Sequence, residues 1–390
     1  APQSPVTFLC CRVCVLMDIE VLGRHHLPNE MANWSSTFTF NLLIPVFLVC
    51  CCLLAPSCCA FNQKPPIIKT ANSSGKAFKY HSLPERVLLD HDGGNDDFTA
   101  LLVLLEYQAR GLLAIEGIVV TPANCYILPA VSVTRKILRL YGQNSTETCK
   151  GVLDGEHPFP AEWRATADVI DQFPLLNADK APLPPLSPEP GHEFLRRKLQ
   201  EAEEPLTVVV TGPLTNLGEV LTSYPELSAR IRRVVWMGGA FEVPGNVRTP
   251  DHDGSAEWNT YWDPRGAQQV FSAAEVPLVA FPCDVTDNVP VTGRFLGRLA
   301  RQAEAQGQEE GRPAARLMGE IFAVAAGGKF DPDSDAAATY MWDTLPALSF
   351  GLGDRVAYAT KRAEVLLGEP SAGRTRVVPE GEPGGREVTV

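Results

Sequence analysis

The amino-acid sequence predicts an α/β protein, built on a mostly parallel open sheet with helices packed on both faces. Short runs of β-branched and aliphatic residues, such as 113–120 and 206–210, alternate with longer segments of helical periodicity. Strand–loop–helix units repeated in this way favour a parallel sheet, because each return to the sheet needs a crossover connection. The composition agrees with a globular protein, since 45% of the 390 residues are hydrophobic and 21% are charged.

The predicted elements follow one another in a regular order along the body of the chain. Strands are predicted at 87–89, 113–120, 206–210, 234–237, 276–281 and 387–390. Helices are predicted at about 96–110, 126–141, 214–222 and 264–273, and helices dominate from 293 to 350. Gly111 and Gly142 follow two of these helices as stop signals. The proline-rich stretch 182–190 is predicted to be a surface loop.

Residues 1–85 differ in composition from the rest and are interpreted as a leader, whereas 86–390 form the predicted catalytic domain. An uninterrupted apolar run at 42–55 suits the core of a signal peptide better than a complete membrane span. Extended to 40–61 the run still carries no charge, so a membrane anchor stays open. The polar segment 64–84 is predicted to be a linker. We therefore expect secretion or membrane anchoring, with a cytoplasmic location as the alternative if the leader is an artefact of the gene model.

Charge and cysteine usage narrow the classes of partner. The formal net charge is −12, which argues against nucleic acid because phosphate binding needs a basic face. Eight of the 11 cysteines lie within the first 60 residues, and the other three are scattered. Such spacing predicts neither a disulfide framework nor a zinc site. Small ligands and divalent metals remain possible partners.

The strongest chemical signal is the acidic segment 90–97, which directly follows a predicted buried strand. It contains four aspartates and two glycines. Like charges this close raise one another's pKa unless a cation neutralises them, whereas a solvated turn or a helix cap needs only one aspartate. The oxygen ligands therefore favour a hard cation. An EF-hand is excluded because Leu101 stands where its twelfth-position glutamate belongs.

Two enzyme classes begin with a strand and such a segment. A haloacid-dehalogenase-like phosphatase is one alternative, weakened by the doubled Asp96-Asp97 and by the lack of a suitable later lysine and acidic pair. The other class also accounts for four later segments, which follow in order: Phe-Pro-Ala-Glu-Trp-Arg at 159–164, Val-Thr-Gly-Pro-Leu-Thr-Asn at 210–216, Gly-Ser-Ala-Glu-Trp-Asn at 254–259 and Trp-Asp at 342–343. On these residues, about three quarters of the chain resembles the inosine-uridine-preferring nucleoside hydrolase family, and more closely its purine-specific inosine-adenosine-guanosine branch.

The resemblance implies a nucleoside hydrolase fold with a Rossmann-like core, and Ca²⁺-dependent hydrolysis of purine ribonucleosides to base and ribose. It implies Ca²⁺ binding by Asp92, Asp97, Asp343 and the carbonyl of Thr211, with Asp92 also deprotonating a Ca²⁺-bound water. It implies ribose contacts from Asp96, Asn246, Glu257, Asn259 and Asp343, and base contacts from Glu162, Trp163 and Trp342. Trp342 replaces a histidine that is usual in pyrimidine-tolerant members, which is our main reason for expecting purines. The family also implies a homodimer or homotetramer.

The sequence departs from this branch at several positions. Asn124 occupies the catalytic position near the base where the branch typically has an aspartate, and an amide delivers a proton poorly. Gly94 stands where an asparagine is common, and the family normally continues beyond the last predicted strand into a final helix. These departures leave open an alternative function, a non-catalytic exported or membrane-anchored protein that binds purine nucleosides.

Overall fold

The computed structural model describes residues 84–305 and 313–390. The predicted signal or anchor segment at 40–61 lies outside the described residues, as does nearly all of the predicted linker. Within the described residues, no helix is both long and apolar enough to cross a membrane.

The described residues form strands and helices in the alternating order that the sequence predicts. The strands are β1 Glu85–His91, β2 Leu113–Val120, β3 Thr148–Lys150, β4 Leu186–Pro190, β5 Leu206–Val210, β6 Ile231–Met237, β7 Leu278–Phe281, β8 Pro290–Thr292, β9 Ala337–Tyr340, β10 Thr360–Val365, β11 Thr375–Val377 and β12 Arg386–Thr389. The α-helices are α1 Asn95–Ala109, α2 Ile127–Leu140, α3 Ala161–Arg164, α4 Thr166–Asp171, α5 Pro174–Asn177, α6 Gly191–Glu201, α7 Thr215–Ser223, α8 Trp258–Trp262, α9 Pro264–Ser272, α10 Cys283–Thr286, α11 Gly293–Ala305, α12 Ala314–Ala325 and α13 Thr344–Leu352.

One large sheet organises the fold. Its strand order is β11-β10-β12-β7-β6-β5-β1-β2-β3-β4. Neighbours from β12 to β4 are all parallel, and β10 and β11 extend the sheet with antiparallel pairing. Strands β8 and β9 pair separately. The chain runs outward from β1 through β2 to β4 and then returns to β5 on the other side, so the strand order reverses at β1. A ligand crevice is expected at the carboxyl ends of the strands around such a reversal.

Helices cover both faces of this sheet, as the sequence predicts. Val87 and Leu89 of β1 join a buried cluster that includes α1, α2, α12 and α13. Leu88, between them, points to the opposite side and joins a second cluster with α6, α7 and α9. Alternate residues of a strand face opposite ways, so a strand covered on both faces must be apolar throughout. This explains the continuous apolar run of β1.

One prediction of local structure was wrong. The stretch 182–190 is not only a loop, because Leu186–Pro190 pairs with β3 as the last strand of the sheet. An edge strand needs hydrogen bonds on one side only, so it tolerates the prolines that suggested a loop. The acidic segment spans the end of a strand, a turn and the start of a helix. Asp90 lies in β1 and Asp96 lies in the first turn of α1, which leaves a turn of three residues, 92–94.

Candidate active site

The candidate site lies at the carboxyl ends of the central parallel strands. The turn after β1 carries Asp92, the segment after β2 carries Asn124, and Thr211 follows β5 directly. Strands β1, β2 and β5 are neighbours and run parallel, so their carboxyl ends meet at one edge. Residues that are far apart in the sequence therefore converge where the strand order reverses.

The turn between β1 and α1 requires glycine at position 93. Gly93 has a φ of +77°, a backbone conformation that other residues rarely adopt. A Cβ atom there would also lie 2.7 Å from the Cβ atoms of Cys125 and Ala130. The tight turn lets the chain leave β1 and enter α1 at once, so Asp92, Asp96 and Asp97 all stay at the sheet edge.

Four carboxylates are buried together at this edge. Asp92, Asp96, Asp97 and Asp343 are between 0% and 7% exposed. Asp97 accepts hydrogen bonds from the Gly94 N–H at 2.8 Å and from the Thr211 hydroxyl at 2.5 Å. The backbone N–H of Asp343 donates to Asp96 Oδ2 at 3.1 Å. These contacts join β1, α1, the end of β5 and the start of α13 into one acidic cluster.

Burial perturbs all four acidic side chains. It raises the pKa of Asp97 to about 7 and raises the pKa of Asp96. Burial, followed by the charge of Asp97, raises the pKa of Asp92 well above its usual range. Burial and the charge of Asp96 do the same for the pKa of Asp343. Desolvation favours the neutral acid, and neighbouring negative charges add to this effect.

The donor chemistry of the cluster fits a hard cation. No lysine or arginine among the described residues forms an ion pair with any of the four carboxylates. Buried charges of one sign without a partner are costly, and Ca²⁺ takes carboxylate and carbonyl oxygens as ligands. The side chains are not arranged as a complete metal site, because among the described residues no three acidic, histidine or cysteine side chains lie together in a way that would hold a metal ion. The carboxylates are instead held by backbone N–H groups and a hydroxyl, Asp97 by Gly94 and Thr211 and Asp96 by Asp343.

A second polar group, to which the sequence assigned no role, adjoins the acidic cluster in sequence at the end of β1. Asp90 accepts hydrogen bonds from the Thr121 hydroxyl at 2.7 Å and from Asn216 Nδ2 at 3.1 Å. Asn216 Nδ2 also donates to the Thr121 hydroxyl oxygen at 2.8 Å. Burial raises the pKa of Asp90 to about 7. His91 is buried as well, and burial lowers its pKa to about 3, which keeps the ring neutral.

The segment after β6 brings Glu257 and Asn259 to the same edge. Glu257 caps α8, since its carboxylate accepts hydrogen bonds from the N–H groups of Asn259 at 2.8 Å and Thr260 at 3.3 Å. It also accepts one from the N–H of Gly239 at 3.0 Å. Burial raises the pKa of Glu257 to about 7. Asn259 Nδ2 donates to the carbonyl oxygens of Thr211 at 3.3 Å and Met237 at 3.2 Å. These bonds connect the predicted ribose residues to Thr211.

Asn246 is tied to the same segment by its side chain. Its Oδ1 accepts a hydrogen bond from the backbone N–H of Trp258 at 3.0 Å. Trp258 therefore links the predicted ribose residues to an aromatic group, because its ring meets the Trp163 ring edge-on with centroids 5.5 Å apart. Phe159 packs against Trp258 at 5.1 Å. The sequence assigned no role to Trp258, although it lies between Glu257 and Asn259.

The two tryptophans predicted to contact the base lie in separate ring groups. Trp163 is 42% exposed, which is high for so large an apolar side chain. The indole N–H of Trp342 donates to Asp287 at 2.7 Å, and the Trp342 ring lies 5.3 Å from that of Tyr340. Among the described residues, no ring contact joins Trp163 to Trp342. Glu162 is exposed beside Trp163 in α3.

Asn124 and Gly94, the two positions that depart from the expected pattern, lie next to each other. A Cβ atom at Gly94 would lie 2.8 Å from Asn124 Nδ2, so a side chain at position 94 would require the Asn124 amide to move. The backbone N–H of Asn124 donates to Asp92 at 3.3 Å, which places this residue against the acidic cluster. In the described part of the chain, its buried Oδ1 has no hydrogen-bond partner.

Comparison with known proteins identifies the family of this fold and site. A family model described as inosine-uridine preferring nucleoside hydrolase matches residues 87–389. The structure of an inosine-uridine preferring nucleoside hydrolase from Bacillus anthracis is similar, with a TM-score of 0.69 at 33% identity over 78% of this chain and 93% of that one. A purine-preferring ribonucleoside hydrolase from Gardnerella vaginalis shares the fold, with a TM-score of 0.59 at 22% identity over 78% of this chain and 93% of that one.

Curated relatives add information about activity. The pyrimidine-specific ribonucleoside hydrolase RihA of Citrobacter koseri is 32% identical over 238 residues, or 60% of this chain and 69% of its own length. RihA of Shewanella woodyi is 31% identical over 215 residues, or 55% of this chain and 64% of its own length. The chain therefore spans about two thirds of the length of these relatives.

Proposed function

The chain belongs to the inosine-uridine preferring nucleoside hydrolase family, and on that premise we propose that residues 86–390 form a catalytic domain that hydrolyses the N-glycosidic bond of ribonucleosides, with Ca²⁺ as cofactor. The observation that carries the proposal is the buried cluster of Asp92, Asp96, Asp97 and Asp343. Four such groups, with no basic partner among residues 84–305 and 313–390, are a costly arrangement unless a cation and a polar substrate use them. Neither a solvated turn nor a helix cap accounts for their burial.

The residues available to hold Ca²⁺ are Asp92, Asp97, Asp343 and the carbonyl of Thr211. When bound, Ca²⁺ would orient the sugar hydroxyls and make a water molecule easier to deprotonate. The direct contact of Thr211 with Asp97 supports this assignment, since its hydroxyl donates to the Asp97 carboxylate. The same contact fixes the backbone of Thr211 beside the acidic cluster.

The proposed reaction uses Asp92 as the general base. Asp92 takes a proton from the attacking water, whose oxygen forms a bond to C1′ of the ribose. The C1′–N bond breaks, its electron pair goes to the nucleobase, and the departing nucleobase takes up a proton from solvent. Positive charge develops on the sugar in the transition state, so the surrounding carboxylates stabilise it.

The remaining polar residues would bind the ribose. Asp96, Glu257 and Asp343 present carboxylate oxygens that accept hydrogen bonds from sugar hydroxyls, and Asn259 and Asn246 add amide groups. Glu257 and Asn259 already share hydrogen bonds with each other and with the backbone of Gly239 and Thr211. Their orientation is therefore fixed before substrate arrives, which lowers the entropic cost of binding.

We propose purines as the preferred bases. The support comes from two indoles near the site, Trp163 and Trp342, because a purine offers more ring area for stacking than a pyrimidine does. The relatives do not support a purine-specific branch, since RihA of Citrobacter koseri is named as pyrimidine-specific. Preference for pyrimidines is therefore the second candidate.

The test is ribose release by the purified chain from inosine, adenosine, guanosine, uridine and cytidine. Each reaction is run with Ca²⁺, with a chelator, and with Ca²⁺ restored. We expect release that the chelator abolishes and Ca²⁺ recovers, with higher kcat/KM for the purine nucleosides. Higher kcat/KM for uridine and cytidine would establish the second candidate. Ca²⁺-dependent binding of nucleosides without any release would favour the non-catalytic alternative.

We also propose that the leader at 1–85 directs secretion or membrane anchoring, with a cytoplasmic enzyme as the alternative, and that the protein assembles as a dimer or tetramer. Cell fractionation with N-terminal sequencing tests the first proposal. Light scattering on the purified protein tests the second, and a monomeric mass would contradict it.

A further inference from the structure

One carboxylate outside the acidic cluster holds a predicted base residue directly. The indole N–H of Trp342 donates to Asp287 Oδ1 at 2.7 Å. Asp287 follows α10, and its own N–H donates to the carbonyl of Cys283 at 3.2 Å, which anchors it beyond the carboxyl end of β7. The ring of Tyr340 packs against Trp342 at 5.3 Å. The indole is therefore fixed along its polar edge and supported by a second ring.

Two further observations relate Trp342 and Asp287 to the sugar part of the site. Trp342 precedes Asp343, whose backbone N–H donates to Asp96 at 3.1 Å. The negative charge of Asp287 also contributes to the raised pKa of Glu257, after the larger effect of burial. Asp287 thus contacts Trp342 directly, and Trp342 adjoins the acidic cluster through Asp343.

We propose that Asp287 is a positioning residue of the base subsite, whose carboxylate fixes the Trp342 indole and increases the negative charge on its ring, so that the site favours nucleobases that are protonated, and therefore cationic, before the C1′–N bond breaks. The inference rests on the proposed hydrolase function and deepens it. In this proposal Asp287, acting through Trp342, stabilises the protonated nucleobase, and no side chain donates a proton to the nucleobase directly.

The physical reason lies in the leaving group. The electron pair of the breaking C1′–N bond goes to the base, which leaves more easily once a ring nitrogen has taken up a proton. A positive ring is attracted to the face of an indole. A hydrogen bond from the indole N–H to a carboxylate is stronger than one to a neutral acceptor and adds negative charge at that position. Asn124 delivers a proton poorly, so this stabilisation carries more weight here.

The experiment compares two leaving groups in the full chain. Nucleosides that the wild type hydrolyses need a proton on the departing base, whereas p-nitrophenyl β-D-ribofuranoside releases a stable phenolate without one. Asp287→Ala removes both the charge and the acceptor, and Asp287→Asn keeps a neutral acceptor. Asp333→Asn is the matched control, because it removes an exposed aspartate charge from the segment that precedes β9.

We expect Asp287→Ala to lower kcat for nucleosides about fivefold, equivalent to about 1 kcal/mol, while kcat for the p-nitrophenyl substrate stays within about twofold. Asp287→Asn should fall between the wild type and Asp287→Ala on nucleosides. Trp342→Phe removes the N–H donor, so adding Asp287→Ala to it should cause little further loss. Asp333→Asn should match the wild type on both substrates.

Each other outcome overturns the inference in a distinguishable way. An equal loss on both substrates would assign Asp287 a purely structural role. Nucleoside turnover that is unchanged in Asp287→Ala would remove it from the site while leaving the proposed function intact. A wild type that hydrolyses neither substrate would overturn the proposed function, and this inference with it.

Discussion

Replacing Asp92 by asparagine should separate the stability of the protein from its activity. Asp92 is 2% exposed, and its carboxylate accepts a hydrogen bond from the backbone N–H of Asn124 at 3.3 Å. Asparagine has nearly the same shape but can neither act as a general base nor offer an anionic oxygen to Ca²⁺. A positioned general base raises the rate of reaction about 10²- to 10⁴-fold. Because the substitution also removes a ligand of Ca²⁺, kcat should fall at least about 10³-fold.

The same substitution should stabilise the metal-free protein. At neutral pH without metal, Asp92 either stays charged beside Asp97 or takes up a proton, and both cost free energy. Two charges about 4 Å apart repel by about 4 kcal/mol at an effective dielectric constant of about 20. Because partial protonation already relieves some of this repulsion, asparagine should raise the free energy of unfolding of the metal-free protein by about 2 kcal/mol. That corresponds to a rise of about 4 °C in the melting temperature of a protein of this size.

The assay measures ribose release with Ca²⁺ and thermal unfolding with Ca²⁺ or with a chelator. Asp263→Asn is the matched control, because this buried aspartate caps α9 by accepting hydrogen bonds from the Gly266 N–H at 2.9 Å and the Thr215 hydroxyl at 2.6 Å. It should lose about 1 kcal/mol of stability and keep both turnover and stabilisation by Ca²⁺. Turnover of Asp92→Asn within tenfold of the wild type would refute the role of Asp92 as base. A lower metal-free melting temperature would refute the argument from repulsion.

Three further predictions follow from the same site. Burial raises the pKa of both Asp97 and Glu257 to about 7, so between about pH 4 and 7 the folded metal-free protein binds more protons than the unfolded chain. The free energy of unfolding of the metal-free protein should therefore fall as pH rises through this range. A free energy of unfolding that does not change with pH in the presence of chelator would contradict this. Trp163→Ala should lower kcat/KM for purine nucleosides about tenfold, by loss of about 1–3 kcal/mol of stacking, and leave the Ca²⁺-induced rise in melting temperature unchanged; unaltered kinetics would remove this residue from the base site. Gly94→Asn should cost about 1–3 kcal/mol of stability, because its side chain would collide with Asn124, and an unchanged melting temperature would exclude that contact.

The sequence by itself determined the fold class, the position of the acidic segment and the residues that the family resemblance marks. The fold class can be predicted because the patterns of strands and helices are local features of the sequence. The continuous apolar run of β1 is one such pattern. Gly93 is likewise a local signal in the sequence, since the sharp turn from β1 into α1 needs its positive φ. The order of the elements along the chain then predicts a parallel sheet with its polar loops on one edge.

Only the tertiary structure decided which of these residues touch. Asp96 meets the backbone of Asp343 across 247 positions, and Trp342 meets Asp287 across 55. Such pairings depend on strand order and on the crossovers between strands, and no local pattern records either. The same holds for Leu186–Pro190, which is a strand because it lies at the sheet edge, where its prolines cost no hydrogen bond. Side chains converge at the site because parallel strands end together, and the sequence shows only that each strand ends.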